Sequence, residues 1–87
     1  MHEASLMRDL MIRIETLAKA ESAERVTRVS VWLGALAHMS PDHFREHFAQ
    51  SAPGTLAEGA TLDLALSDDV HDPRAQELVL RSIEVET

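Results

Sequence analysis

The apolar residues change their spacing once in the first third of the chain, and this change restricts the fold more than any other feature. Over residues 4–20 they recur three or four positions apart, as on the buried face of a helix. Over residues 25–33 they alternate with polar residues and include several β-branched side chains, as in a strand. We therefore predict a helix followed by a strand, with Leu10 and Ile14 at the centre of the core.

Three further segments complete the pattern. Ser40 is followed by a proline, and this pair predicts the N-cap and first position of a second helix. Residues 61–67 and 78–86 alternate again, and the later run changes phase near Arg81, which indicates a β-bulge. The order is helix, strand, helix, strand, strand. We predict an α+β domain in which two helices pack on one face of a three-stranded mixed sheet.

The period of two divides the side chains of the first strand between the two faces of the sheet. The set predicted to face the helices is Val29, Val31 and Leu33. The set predicted to face away is Val26, Arg28, Ser30 and Trp32. Trp32 is a candidate partner surface, because a sheet covered on one side leaves apolar area for a partner to use. The alternative is an ordinary packing role for this side chain.

Composition excludes several classes of function. A chain of 87 residues has room for a single domain. Eight basic against fifteen acidic residues give a net charge of -7, which repels phosphate backbones and argues against nucleic acid as a partner. No cysteine is present, which excludes disulfides and thiolate ligands from this sequence. The sequence has neither a signal-peptide pattern nor a membrane span, so we expect a cytoplasmic protein.

The first three residues, Met1, His2 and Glu3, offer a set of metal ligands. One ion can be held in fused chelate rings by four groups. They are the terminal amine of Met1, the backbone nitrogen and the imidazole of His2, and the Glu3 carboxylate. Nitrogen-rich tetragonal coordination suits Ni(II) or Cu(II). The alternative is that Glu3 and Ser5 cap the first helix, where side-chain oxygens and negative charge are favourable.

Several segments, in order along nearly the whole chain, carry a resemblance to one family. They are residues 1–7 (MHEASLM), 25–29 (RVTRV), 32–34 (WLG), 54–60 (GTLAEGA) and 82–86 (SIEVE). With these segments the chain resembles the HypA/HybF family, metallochaperones that help to deliver nickel during maturation of nickel-iron hydrogenase and, in some organisms, urease. The resemblance implies one nickel-binding α+β domain over residues 1–87.

The resemblance also implies ligands and partners. Nickel is expected at His2 and Glu3 together with backbone nitrogens of the first residues, including the Met1 amine. The expected recipient is an accessory GTPase of hydrogenase maturation or the hydrogenase large-subunit precursor. Family members can place an acidic residue near this site after Gly34. Ser40 stands there in this sequence, and Asp42 and His38 are the alternatives for the same role.

The sequence departs from the family pattern between its last two strands. Members normally insert there a zinc module with two Cys-x-x-Cys pairs, whereas this chain has the short polar segment 67–77. We therefore expect no structural zinc.

The chain has two other histidine patterns that resemble metal sites. His43 and His47 are four residues apart on the second helix, a spacing that lets two imidazoles meet one metal, but we favour a structural role, because side chains at this spacing are neighbours whether or not they bind anything. His71 lies among three aspartates, which is typical of a weak metal site or of a solvated acidic loop. No nucleophile elbow or phosphate loop occurs, so we do not expect an enzyme.

Three hypotheses follow. The first is a nickel metallochaperone that transfers Ni(II) to an accessory GTPase or an apo-enzyme. The second is a metal-free interaction or regulatory module with the same fold. The third is a small oligomeric scaffold, such as a homodimer, that associates through the sheet face carrying Trp32.

Overall fold

The computed structural model describes residues 3–37 and 39–87, with Glu3 described through its backbone. Two helices and three strands form in the predicted order. They are α1 (Glu3–Ala20), β1 (Arg25–Leu33), α2 (Pro41–Ser51), β2 (Thr61–Leu66) and β3 (Leu78–Glu86). This confirms the α+β architecture expected from the two apolar periods.

The strand β1 occupies the centre of a three-stranded sheet with the order β2-β1-β3. It pairs in parallel with β2 and antiparallel with β3, so the sheet is mixed as predicted. The parallel pair is connected through α2, as a parallel connection requires a crossover. The antiparallel neighbour β3 is reached through residues 67–77.

The core lies between the two helices and one face of the sheet. Ile14 and Phe44 are fully buried, and Leu10 is 4% exposed, so the predicted centre is confirmed. Other buried members come from both helices, β1 and the segments that follow β1 and α2. They include Met7, Met11, Ala18, Val29, Val31, Leu33, Ala37, Phe48, Ala52 and Ala57.

The prediction that Val26 faces away from the helices is wrong. Val26 is 1% exposed and belongs to the core, although Arg28 and Ser30 follow the predicted alternation. The pairing with β3 shifts register between Val26 and Arg28, so that Thr27 is an extra residue in the strand. An extra residue reverses the alternation of side chains. Both Val26 and Val29 therefore point toward the helices.

Two local predictions are confirmed. The Ser40 hydroxyl accepts a hydrogen bond from the backbone nitrogen of His43 at 3.1 Å, which makes it the N-cap of α2 with proline at the first position. The pairing of β1 with β3 passes from Ser82 to Leu80, which leaves Arg81 as the bulge residue.

Both helices run opposite to β1. Near its start α1 shares a groove with Leu78, which pairs with the last residue of β1. Near its end Glu15 accepts a hydrogen bond from the backbone nitrogen of Leu56, whose carbonyl oxygen accepts one from Val26 in β1. The crossover helix α2 likewise returns from the end of β1 to the start of β2.

This arrangement gives the domain two ends. We call the end that holds the N-termini of α1 and α2, segment 34–40 and segment 67–77 the loop end. We call the opposite end, formed by residues 21–26, 52–60 and 84–86, the turn end. No helix within the described ranges is long and apolar enough to cross a membrane.

Candidate metal centre at the loop end

Backbone hydrogen bonds hold the two connecting segments of the loop end together. The backbone nitrogen of Gly34 donates to the carbonyl oxygen of Glu77 at 2.9 Å, and that of Leu36 donates to Ala75 at 2.7 Å. The backbone nitrogen of Ser67 donates to Leu33 at 3.0 Å. Segment 67–77 is therefore fixed against the end of β1 at both of its own ends.

Gly34 permits this close approach. A Cβ atom at this position would lie 2.2 Å from the carbonyl oxygen of Ala75, far inside van der Waals contact. The backbone oxygen of Ala75 cannot rotate away as a flexible side chain would. A residue other than glycine would push segments 34–37 and 67–77 apart.

The central predicted ligands fall on the first residues of the chain. Met1, His2, the Glu3 side chain and His38 lie outside the part of the chain that the structure describes. The backbone of Glu3 begins α1 at the loop end, so chain connectivity ties the predicted ligands to this end. Their roles remain predictions.

Two further candidate ligands lie at the start of α2. Ser40 is exposed, and its oxygen uses one lone pair as the helix cap, which leaves further hydrogen-bonding or ligating capacity on the same hydroxyl. Asp42 is exposed in the first turn, where its negative charge suits the helix dipole. Their positions place both at the loop end, and their ligand roles remain predictions.

The remaining histidines also lie at or near this end. His43 is exposed in the first turn of α2, and His47 is half-buried one turn further on. His47 lines an open groove together with Ala4 and Met7 of α1. His71 is exposed in segment 67–77, where its backbone nitrogen donates to Asp69 at 2.9 Å. Sequence spacing relates His43 to His47 but cannot show that α2 lies beside the start of α1.

No group of three or more His, Asp or Glu side chains that could hold a metal forms within residues 4–37 and 39–87.

The sheet face that points away from the helices has a charged part around Arg28. This guanidinium bridges Asp63 of β2 and Glu84 of β3, with 3.3 Å between Nε and the Glu84 carboxylate. The hydrogen bond and charge of Asp63, followed by those of Glu84, raise the pKa of Arg28 above its usual value. The three strands are thus connected by charged side chains as well as by backbone pairing.

The same face has an apolar part around Trp32. Trp32 is half-buried and lies between Ala65 of β2 and Val79 of β3 in the strand register. Its use as a partner surface remains a prediction. The alternative, a packing role for its ring within the sheet, remains a prediction as well.

Comparisons with known proteins identify relatives in sequence. Residues 1–72 match the sequence profile of the family described as "Hydrogenase/urease nickel incorporation, metallochaperone, hypA". A hydrogenase maturation factor HypA from Chlorobium limicola is 41% identical over 64 residues, which are 74% of this chain and 55% of that protein. The corresponding protein from Methylocella silvestris is 38% identical over 64 residues, or 74% of this chain and 57% of that protein. The chain therefore spans little more than half the length of these curated relatives.

Solved structures show the same fold. The solution structure of the Ni metallochaperone HypA from Helicobacter pylori superposes with a TM-score of 0.84 at 22% identity, covering 99% of this chain and 98% of that chain. A second solution structure of HypA protein gives a TM-score of 0.75 at 22% identity, with 97% and 95% coverage.

Proposed function

Because the chain belongs to the HypA family of hydrogenase/urease nickel-incorporation metallochaperones, we propose that it binds Ni(II) through its first three residues and passes the ion on during maturation of a nickel enzyme. The observation that carries this proposal is the match over residues 1–72, which includes the tripeptide with its ligand chemistry. The role is that of a carrier, with Ni(II) as its cargo.

The donors are those of a tetragonal site. The Met1 amine, the backbone nitrogen and imidazole of His2 and the Glu3 carboxylate supply nitrogen-rich coordination, which suits Ni(II) and Cu(II). Ligand amines and imidazoles must lose their protons to bind, so the ion and protons compete for them.

Drawing ligands from the start of the chain also separates binding from folding. Met7 is the first buried residue among those whose side chains the structure describes. Substituting a ligand residue before Met7, or releasing the metal ion from it, therefore leaves the core intact. A recipient protein can exchange its own ligands for these without unfolding the carrier.

The proposed recipient is an accessory GTPase or the hydrogenase large-subunit precursor, and urease maturation is a further use of the same chemistry. We also propose that segment 67–77 stands in place of the zinc module of the family, and that the domain needs no structural zinc. Two observations support this. The sequence has no cysteine to bind zinc, and backbone hydrogen bonds to Gly34 and Leu36 already hold segment 67–77 in place.

Calorimetry on untagged protein tests the nickel site. Wild type, His2→Ala and the control His71→Ala are titrated with Ni(II), Cu(II) and Zn(II). We expect His2→Ala to weaken Ni(II) binding by about a hundredfold or more, equivalent to about 2.7 kcal/mol, and His71→Ala to have little effect. Cu(II) should bind most tightly, following the general order of divalent metals. Equal nickel affinity for wild type and His2→Ala would refute the proposal.

The metal-free interaction module is the second candidate, and the short segment 67–77 is the observation that favours it. It predicts that a tag fused ahead of Met1 leaves function unchanged. On the nickel proposal the same tag removes the free amine and weakens Ni(II) binding.

A further inference from the structure

The strand β2 forms one edge of the sheet, since its only neighbouring strand in the described part of the chain is β1. Edge strands are normally protected against pairing with another chain by charged side chains, a proline or a β-bulge. The other edge strand, β3, has the bulge residue Arg81 and the charged side chains of Glu84 and Glu86. In contrast, β2 has no bulge, and its single charged residue, Asp63, is already paired with Arg28. The edge of β2 is therefore left able to pair with a further strand.

The outward backbone groups of β2 belong to its three leucines. The backbone nitrogen of Ser67 donates to Leu33 in β1, and the backbone groups of successive residues in a strand point to opposite sides. The residues that direct theirs away from β1 are thus Leu62, Leu64 and Leu66. Their side chains lie on the helix side of the sheet, where Leu62 and Leu64 pack against the core and Leu66 is 57% exposed.

An apolar groove lies beside this edge, between the end of α2 and the start of β2. Its lining includes Phe48 and Ala52 of α2 and Leu62 of β2. The exposed Leu66 would fit such a groove, because burial of its side chain removes apolar surface from water. Within one chain the two cannot meet, because Leu66 is at the far end of the same strand. A second copy can supply the missing partner.

Antiparallel pairing of β2 with β2 of a second copy brings groove and leucine together twice. When Leu64 lies opposite its own copy, Leu62 lies opposite Leu66, and residues opposite each other in this way exchange two hydrogen bonds. The neighbouring register would place Asp63 opposite Asp63, and like charges directly opposite are destabilising. The leucine register places Asp63 opposite Ala65 instead. Such a two-fold contact uses the same surface on both copies and closes at the dimer.

Charges beyond the strand fit the same register. Asp68 is exposed just after β2, and the register brings it next to Ala60 of the second copy. Ala60 lines the groove together with Arg45. The exposed Arg45 forms no ion pair within residues 4–37 and 39–87, although Asp42 and Glu46 lie near it on the same helix. Its guanidinium is therefore available to Asp68 of the second copy.

We propose that two copies of this chain associate through their β2 strands, with Leu66 of each copy in the groove beside Leu62 of the other. The contact is short, and each copy carries a net charge of -7, so we expect a weak and reversible dimer. The antiparallel arrangement places the two loop ends at opposite ends of the dimer. The association does not depend on the proposed nickel binding.

Sedimentation equilibrium of the full chain tests the proposal, with a chelator present so that no metal ion joins the copies. We expect a monomer–dimer equilibrium in wild type. Leu66→Lys should raise its dissociation constant by about tenfold or more, because a lysine on an edge strand opposes pairing. The matched control is Ile12→Lys on α1, since Ile12 is 58% exposed and lies away from β2. This control should associate like wild type, and circular dichroism checks the fold of each variant.

Three results would overturn the proposal. The first is a wild type that stays monomeric at about 1 mM, a concentration that reveals even weak pairing. The second is a dimer that Leu66→Lys leaves unchanged, because it would use another surface, such as the sheet face with Trp32. The third is equal weakening by Ile12→Lys, which would attribute the effect to added charge and not to the edge of β2.

Arg45→Glu and Asp68→Lys test the register through exposed side chains, so they remain informative if Leu66→Lys does not fold. Each variant alone should associate severalfold more weakly, because like charges then meet across the two-fold axis. A mixture of the two variants should recover the wild-type affinity, since opposite charges meet again at both contacts of the mixed dimer. Unchanged association of both single variants, or no recovery in the mixture, would overturn the proposed register and the contact built on it.

Discussion

The two ends of the domain are held together in different ways. At the turn end side chains make the distinctive contacts. The Glu15 carboxylate accepts a 2.6 Å hydrogen bond from the backbone nitrogen of Leu56, and the Arg25 guanidinium lies 3.2 Å from the Glu86 carboxylate. At the loop end the connecting segments are joined mainly by backbone hydrogen bonds that depend on the close approach at Gly34. A side-chain carboxylate therefore carries part of the anchoring at the turn end, whereas the close approach of two backbone segments carries it at the loop end.

Gly34→Ala should give the largest effect and should act on the loop end. The added Cβ meets the backbone oxygen of Ala75, so overpacking is expected to lower the free energy of unfolding by about 2–3 kcal/mol. Urea unfolding measures this loss. Hydrogen exchange should show earlier exchange of the Leu36 amide, which donates to Ala75.

Gly54→Ala is the matched control. Gly54 has a φ of +83° with open space around it, so alanine should cost about 1 kcal/mol of backbone strain. Exchange at Leu36 should not change in this variant. Faster Leu36 exchange in Gly54→Ala would show that the two ends are not independent. An unchanged Leu36 exchange rate in Gly34→Ala would show that Gly34 does not control the attachment of segment 67–77.

Glu15→Ala tests the turn end. Removing a charged acceptor from the part-buried backbone nitrogen of Leu56 should cost about 2 kcal/mol. The control Glu21→Ala changes an exposed carboxylate and should have little effect on stability. Nickel affinity should be unchanged in both variants, because the proposed ligands lie at the other end. A coupled loss of affinity in Glu15→Ala would break the comparison.

Ser40→Ala should cost less stability than Gly34→Ala or Glu15→Ala, about 1 kcal/mol, because it removes the N-cap of α2. Ser40→Asp keeps a capping oxygen and adds a carboxylate at the loop end. We expect Ser40→Asp to retain wild-type stability and to bind Ni(II) severalfold more tightly, as measured by thermal unfolding and calorimetry. No gain in affinity would indicate that position 40 does not face the ion.

The architecture was predictable because each element has a local signal. Apolar period, the Ser40 cap and the phase change near Arg81 are all properties of neighbouring residues. The inward position of Val26 was not predicted, because the sequence around Thr27 gives no indication of an extra residue in the pairing with β3.

The site was predictable only in part, for the same reason. The chemistry of the first three residues is contiguous in sequence, so the tripeptide could be proposed as a ligand set, although it lies outside the described side chains. The position of His47 beside Ala4 depends on the packing of α2 next to α1, which no spacing encodes. The need for glycine at position 34 arises from Ala75, forty-one residues later, and is equally invisible to local patterns.

The anchoring of segment 67–77 allows the length of this segment to vary. Ser67 and Glu77 are hydrogen-bonded to the consecutive residues Leu33 and Gly34, so the points where the segment leaves β2 and enters β3 lie on either side of the end of β1. A chain can be lengthened or shortened between such points without moving the strands that flank them. The sheet therefore provides two fixed attachment points, and the segment between them can change in length while the strands and helices keep their places.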